Sequence, residues 1–419
     1  MRILFTPHAA PTHVLPMVPL AAAFRAAGHD VRFAAQPTVT ATITRCGQIA
    51  VPVGDAHDVA AGVAEFLRKN PALLRRDGRL AVMSGGPAGA FALAWIDAAR
   101  AVVPDLLAFC RWWRPDVLVT DPMFYAGPLA AEVLGIPLVR NLWGPDWTKS
   151  GFGMGGFAEG GPETVDWPED LLDLYESYGA RTAIDFAVRT VDPFPPSLQV
   201  PGLANRITMR QVPYNGPGVV PDWLARRPAR PRVCVTGGTS NSRFLGPDGY
   251  LVPRVLEGLT GMDVEIVLAI DDADAELLGE VPAGVRVVRD LPFDLLLPTC
   301  AAVVSHGGAG GLATAAAHGV PQVLIPQLGD QPANARLVAA AGAGLVLDAP
   351  TFGPGDVRAA VGAVVFGEGP RAAARRIQEE IAALPTPAET VRTLEDVVRR
   401  WTPAAARETA SRREAVSQS

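Results

Sequence analysis

The chain has 419 residues, 49% hydrophobic and 19% charged, with a formal net charge of −6. That length exceeds one ordinary core and predicts at least two domains, and the mild negative charge argues against a nucleic-acid or anionic-membrane surface. Cys46, Cys110, Cys234 and Cys300 are widely spaced without a CxxC, so they indicate neither a zinc site nor a disulfide framework and read as thiols of a reducing cytoplasm.

In chain order, "RILFTP" (2–7) reads as a buried strand, followed by a proline-rich loop and a helix over about 15–27. Pro7, Pro11, Pro16 and Pro19 interrupt this apolar start, so it does not read as a signal peptide. No uninterrupted apolar run of about 18 residues predicts a membrane span, and the expected location is the cytoplasm. "HDVRFAAQ" (29–36), "PDVLVTDP" (115–122) and "GIPLVRNLW" (135–143) are further strands, with helices around 97–111 and 126–134. Short apolar runs alternating with helices predict a parallel sheet with right-handed crossovers.

The pattern then loosens. Residues 143–168 are rich in glycine and aromatics, and 206–231 carry many prolines and arginines and read as a link between domains. A second alternating series starts at "RVCVTGG" (232–238) and runs through "MDVEIVLAI", "GVRVVRDLP", "CAAVVSH" and "PQVLIPQ" to "AGLVLD" (343–348). The expected fold is therefore α/β, two Rossmann-like doubly wound parallel-sheet domains facing across a cleft. The expected boundaries are a first domain at 1–205, a linker at 206–231, a second domain at 232–385, a C-terminal helix at 386–401 packing back on the first domain, and a polar tail at 402–419.

Ligands of such sheets bind beyond the carboxyl ends of the strands, at the point where strand order reverses. Residues there carry the candidate chemistry. In "SHGGAGGLATAAAHGVPQVLIPQLGDQPANARLV" (305–338) a strand leads through glycines into an alanine-rich helix. Glycines admit a ligand close to the backbone, and a helix N-terminus with unpaired amides attracts phosphate. His306 at its lip could hydrogen-bond a phosphoryl oxygen. A tight turn without a ligand would look the same locally, and the loop is neither a Walker loop nor G-x-G-x-x-G. Asp330 and Gln331 lie on the same rim and suit sugar hydroxyls, although Asp330 could equally be a helix cap. On the first sheet, His13 follows the first strand and Asp121 ends "VLVTD". A carboxylate on one imidazole nitrogen leaves the other ready as a base. "DDAD" (271–274) has a metal-compatible spacing but reads better as an acidic helix start, and no metal is expected. No HExxH or GxSxG occurs.

Together, "THVLPMVPLAAAFRAAGHDVRFA" (12–34) and the 305–338 stretch resemble the GT-B-fold glycosyltransferases that decorate natural products, above all the actinomycete deoxysugar transferases. The resemblance spans about residues 1–400. It implies an inverting transfer of a sugar from a nucleoside-diphosphate donor, expected to be dTDP-linked, to a hydrophobic aglycone such as a polyketide. His13 would then be the general base and Asp121 its partner. His306, Gly308, Ala309, Gly310 and Gly311 would surround the diphosphate, with Asp330 and Gln331 at the donor sugar. Gly238, Thr239 and Ser240 would form the first donor-domain turn, and Leu291 and Pro292 would meet the base. Gly311 departs from the family, which most often has threonine there.

Trp143, Trp147, Phe152 and Phe157 supply an apolar acceptor wall, although a loop with its aromatics tucked into the core remains an alternative. The implied partners are the aglycone and the nucleotide-sugar, a co-substrate and not a cofactor, with no metal, nucleic acid or membrane. A homodimer and a helper protein are left open. Two other readings share the features: a nucleotide-sugar epimerase of the same fold, and a non-catalytic nucleotide-sugar-binding partner.

Overall fold

The computed structural model describes residues 1–69, 88–146, 168–181, 187–201, 205–238 and 241–401. Among them, seven strands form a first parallel sheet: β1 (Arg2–Thr6), β2 (Asp30–Ala35), β3 (Ala50–Pro52), β4 (Val117–Thr120), β5 (Leu138–Asn141), β6 (Arg189–Asp192) and β7 (Arg206–Thr208). Their order is β3-β2-β1-β4-β5-β6-β7. Six more make a second sheet: β8 (Arg232–Val235), β9 (Glu265–Ile270), β10 (Val285–Arg289), β11 (Ala302–Ser305), β12 (Gln322–Leu324) and β13 (Gly344–Val346), ordered β10-β9-β8-β11-β12-β13. In each sheet the order reverses beside the first strand, between β1 and β4 and between β8 and β11.

Alternation of side chains along each strand builds two cores per sheet. Leu4, Leu118 and Leu138 face one way, toward the helix Ala88–Trp113. Their neighbours Ile3, Phe5, Val117, Val119 and Val139 face the other, toward the helices Val18–Ala26 and Pro387–Arg400. In the second sheet Val233, Val235, Leu268 and Val304 pack on one side and Cys234, Val267 and Val303 on the other. All four cysteines are free thiols. No helix among the described residues is long and apolar enough to cross a membrane.

Several elements differ from the sequence expectation. The first helix is a series of short pieces, Pro11–Val14, a 3₁₀ turn Leu15–Met17 and Val18–Ala26, because each piece takes a proline into its first turn. The helix expected at 97–111 runs from Ala88 to Trp113 straight through Pro104. Packing of Ile96, Val102, Val103, Leu106 and Leu107 offsets the hydrogen bond that Pro104 cannot make. The first sheet also reaches into the segment read as a link, since Arg206–Thr208 pairs with β6 as its last strand.

The helix Pro387–Arg400 starts with a capping box in which Thr386 and Glu389 satisfy each other's backbone amides. It places Val391 and Leu394 in the first sheet's core, and Glu395 bonds His29 Nε2 at 2.8 Å.

The end of β4 is held by a helix that must come very close. A Cβ on Gly127 would stand 2.3 Å from Thr120 Oγ1 and 3.2 Å from Thr6 Oγ1. Gly127→Ala should therefore destabilise the fold by about 1–3 kcal/mol through overpacking, read as a lower midpoint in denaturant titration.

Candidate functional site

The reversal point of the first sheet carries a fixed imidazole. Thr6 and Thr120 are paired residues at the ends of β1 and β4, so the segments that follow emerge side by side. His13 lies on the short helix beyond β1, and Asp121 directly follows β4. His13 Nδ1 and Asp121 Oδ2 are 2.8 Å apart. Asp121 is 1% exposed, and its other oxygen accepts the Met123 amide at 2.6 Å. A buried carboxylate held in this way makes Nδ1 the protonated nitrogen and leaves Nε2 as an acceptor. The Trp143 ring stands 4.8 Å from the His13 ring, on the segment after β5.

The reversal point of the second sheet holds a different imidazole. His306 follows β11, its Nδ1 is buried without a hydrogen-bond partner among the described residues, and burial lowers its pKa to about 4. Gly238, just beyond β8, has φ of 78°, and a Cβ there would sit 2.1 Å from His306 Cε1. A Cβ on Gly308 would lie 2.4 Å from His306 Nε2. Both positions therefore exclude a side chain, which explains the glycines on either side of the ring.

Gly308 is the N-cap of the helix Ala309–Ala317 and offers no side-chain cap. The first amides of that helix, at Ala309, Gly310 and Gly311, lack partners within the helix. A Cβ on Gly310 would enter open space, and one on Gly311 would only touch Phe293 at 3.7 Å. Leu291 and Pro292 lead into the helix Phe293–Leu296 on the neighbouring rim, where Gly218 presses on Pro292.

Asp330 stands at the N-cap position of the helix Gln331–Ala340, but its side chain does not cap. It accepts Asn334 Nδ2 at 2.5 Å, and burial raises its pKa to about 6 against that bond and the charge of His13. Asn334 also donates to Gly307 O at 3.1 Å, tying the loops after β11 and β12 together. Gln331 is turned inward. Its Oε1 accepts the Gln327 and Leu328 amides at 3.0 and 3.2 Å, and its Nε2 donates to Asn241 Oδ1 at 2.7 Å. In this structure Gln331 thus shapes the loop that carries Asp330. Asp271 of the acidic cluster caps the helix Asp272–Ala275 by accepting the Asp274 amide at 2.9 Å.

The two rims meet. A Cβ on Gly144 would stand 3.0 Å from the Ala309 methyl, and Trp143 packs on the cluster of Phe194, Leu198, Ala309 and Leu312. Trp143 therefore touches both His13 and the second half. Asp330 of the second half feels the charge of His13 in the first. His13, Asp121, Trp143, Gly238, His306, Gly308, Ala309 and Asp330 thus line or adjoin one seam. Thr239, Ser240, Trp147, Phe152 and Phe157 lie outside the described residues.

Sequence reasoning did not identify Asn241 and Gln327 as the scaffold of Gln331, nor Asn334 as the partner of Asp330. The i,i+4 spacing of Asp330 and Asn334 was the available signal.

Residues 22–238 match a family model described as erythromycin biosynthesis protein CIII-like, N-terminal domain, and residues 253–397 match its C-terminal counterpart. The 10-deoxymethynolide desosaminyltransferase of Streptomyces venezuelae is 39% identical, the match covering 94% of this chain and 96% of that protein. The tylactone mycaminosyltransferase of Streptomyces fradiae is 38% identical, covering 94% of this chain and 92% of its own. The crystal structure of the glycosyltransferase VinC in complex with dTDP superposes with a TM-score of 0.78 at 31% identity, covering 96% of this chain and 100% of that one.

His306 gives the fold a pH dependence. Its native pKa of about 4 lies below the ordinary 6.5, so its contribution is complete above pH 6.5 and is lost as pH falls toward 4. His306→Gln should flatten the stability–pH curve in that window by up to about 3 kcal/mol, measured by urea unfolding at a series of pH values.

Proposed function

The chain belongs to the erythromycin biosynthesis protein CIII-like family of GT-B-fold glycosyltransferases, and from that premise we propose an inverting transfer of a deoxysugar from a dTDP-linked donor to a hydroxyl of a hydrophobic polyketide-type aglycone. The observation that carries this reading is the pair His13–Asp121 opening on the same seam as His306 and Asp330. Relatives named for mycaminosyl and desosaminyl transfer, and a similar structure holding dTDP, support the sugar and donor classes.

In the proposed reaction the acceptor hydroxyl lies against His13 Nε2. It loses its proton to that nitrogen as its oxygen forms a bond to the anomeric carbon. The bond from that carbon to the diphosphate oxygen breaks on the opposite face, inverting the centre. Asp121 already holds Nδ1, so the imidazolium that forms is paired at once and costs no rearrangement.

Negative charge grows on the departing diphosphate. The unclaimed amides at the start of the helix Ala309–Ala317 face that charge with the positive end of the helix dipole. His306 supplies a side-chain donor to a phosphoryl oxygen. Asp330, aided by Asn334, accepts from a sugar hydroxyl.

Trp143 closes the acceptor side against His13 and excludes water that would otherwise compete as acceptor. The absence of a hydroxyl at Gly311 leaves the diphosphate to backbone donors and His306.

Two variants separate the roles. His13→Ala should lower turnover roughly 10²–10⁴-fold while dTDP affinity is retained, measured by product formation and calorimetry on the same preparation. His306→Ala should weaken dTDP binding by roughly 10- to 100-fold, the value of one hydrogen bond to a charged group. Wild-type turnover in His13→Ala would overturn the base assignment.

A further inference from the structure

The loop between β1 and the helix Pro11–Val14 carries a second imidazole beside the first. His8 lies edge-on to His13, with ring centroids 4.9 Å apart and planes at 85°, and Trp95 lies 6.2 Å away from it. The Ala10 amide donates to His8 O at 2.8 Å and the His13 amide donates to Ala10 O at 3.0 Å. Two consecutive turns therefore set the spacing of the rings.

The ring nitrogens of His8 are unspent. Among the described residues its ring nitrogens make no hydrogen bond, and the side chain keeps partial contact with solvent. An imidazole placed only for packing would normally find a protein partner. Burial and the neighbouring His13 both hold its pKa well below the ordinary 6.5, so it stays neutral when His13 takes a proton. A neutral imidazole offers one donor and one acceptor.

We propose that His8 hydrogen-bonds a second oxygen of the acceptor close to the hydroxyl facing His13, and so selects acceptors that carry such an oxygen. This rests on the glycosyl-transfer reading above. The rings are close enough for one acceptor to bond both, with its reactive hydroxyl at His13 Nε2 and a nearby oxygen at His8. Trp95 and Trp143 stand at the two ends of the imidazole pair, so the row Trp95–His8–His13–Trp143 is apolar at its ends and polar at its centre.

The test uses a matched pair of hydrophobic macrolactone acceptors, one with a second oxygen near the reactive hydroxyl and one lacking it, with a dTDP-deoxysugar as donor. Wild type should favour the first in kcat/KM by about 2- to 12-fold, the value of one neutral hydrogen bond. His8→Phe, which keeps a ring of similar shape, should turn over both acceptors alike with dTDP affinity unchanged. His8→Asn should restore part of the preference. Wild-type transfer without discrimination, or discrimination that survives in His8→Phe, overturns the role of His8 alone. No transfer by wild type to either acceptor overturns the glycosyl-transfer reading itself and, with it, this role.

Discussion

A carboxylate removed from water must be met by hydrogen-bond donors, and Asp121 shows how this molecule satisfies that requirement. One oxygen takes the Met123 amide and the other takes His13 Nδ1, so both donors come from segments leaving adjacent parallel strands. The pairing of β1 with β4 is thus what makes the imidazole–carboxylate couple possible. Gly127 lets the following helix come down on Thr120, and without that approach the end of β4 would be set elsewhere.

The second sheet repeats the geometry with the opposite electrostatics. Its reversal point holds an imidazole that burial keeps uncharged and whose Nδ1 lacks a partner among the described residues, with glycines and a helix end beside it. The first half supplies a group ready to gain a proton. The second presents a helix end whose first amides lack partners within the helix. Asp330 stands between these regimes, its carboxyl pushed toward neutrality by burial and drawn back by Asn334 and His13.

Much of this was legible from residue order alone. Buried parallel strands are continuous apolar runs, so "RILFTP", "VLVT" and "CAAVVS" announce themselves, and the glycines around His306 announce a close approach. What stayed hidden has identifiable causes. β3 and β7 are three residues each, one ending in proline and the other only half-buried, so neither shows a period. The inward turn of Gln331 depends on Asn241, 90 positions earlier, a contact no local pattern encodes. The partnering of Asp330 with Asn334 in place of the backbone is likewise a tertiary outcome, decided by where Gly307 sits.

The course of the chain has a mechanical consequence. Polypeptide passes from the first half to the second through residues 209–231 and returns near Pro385, where Arg210 donates its amide to the Pro385 carbonyl at 2.6 Å. Outgoing and returning strands of backbone are thus stitched together at one place, and the helix Pro387–Arg400 is anchored on the first half beyond it. Two bodies joined by a single cord could swivel freely, but a stitched double crossing acts as the spine of a book. Any bending of one half against the other is therefore confined to that double crossing.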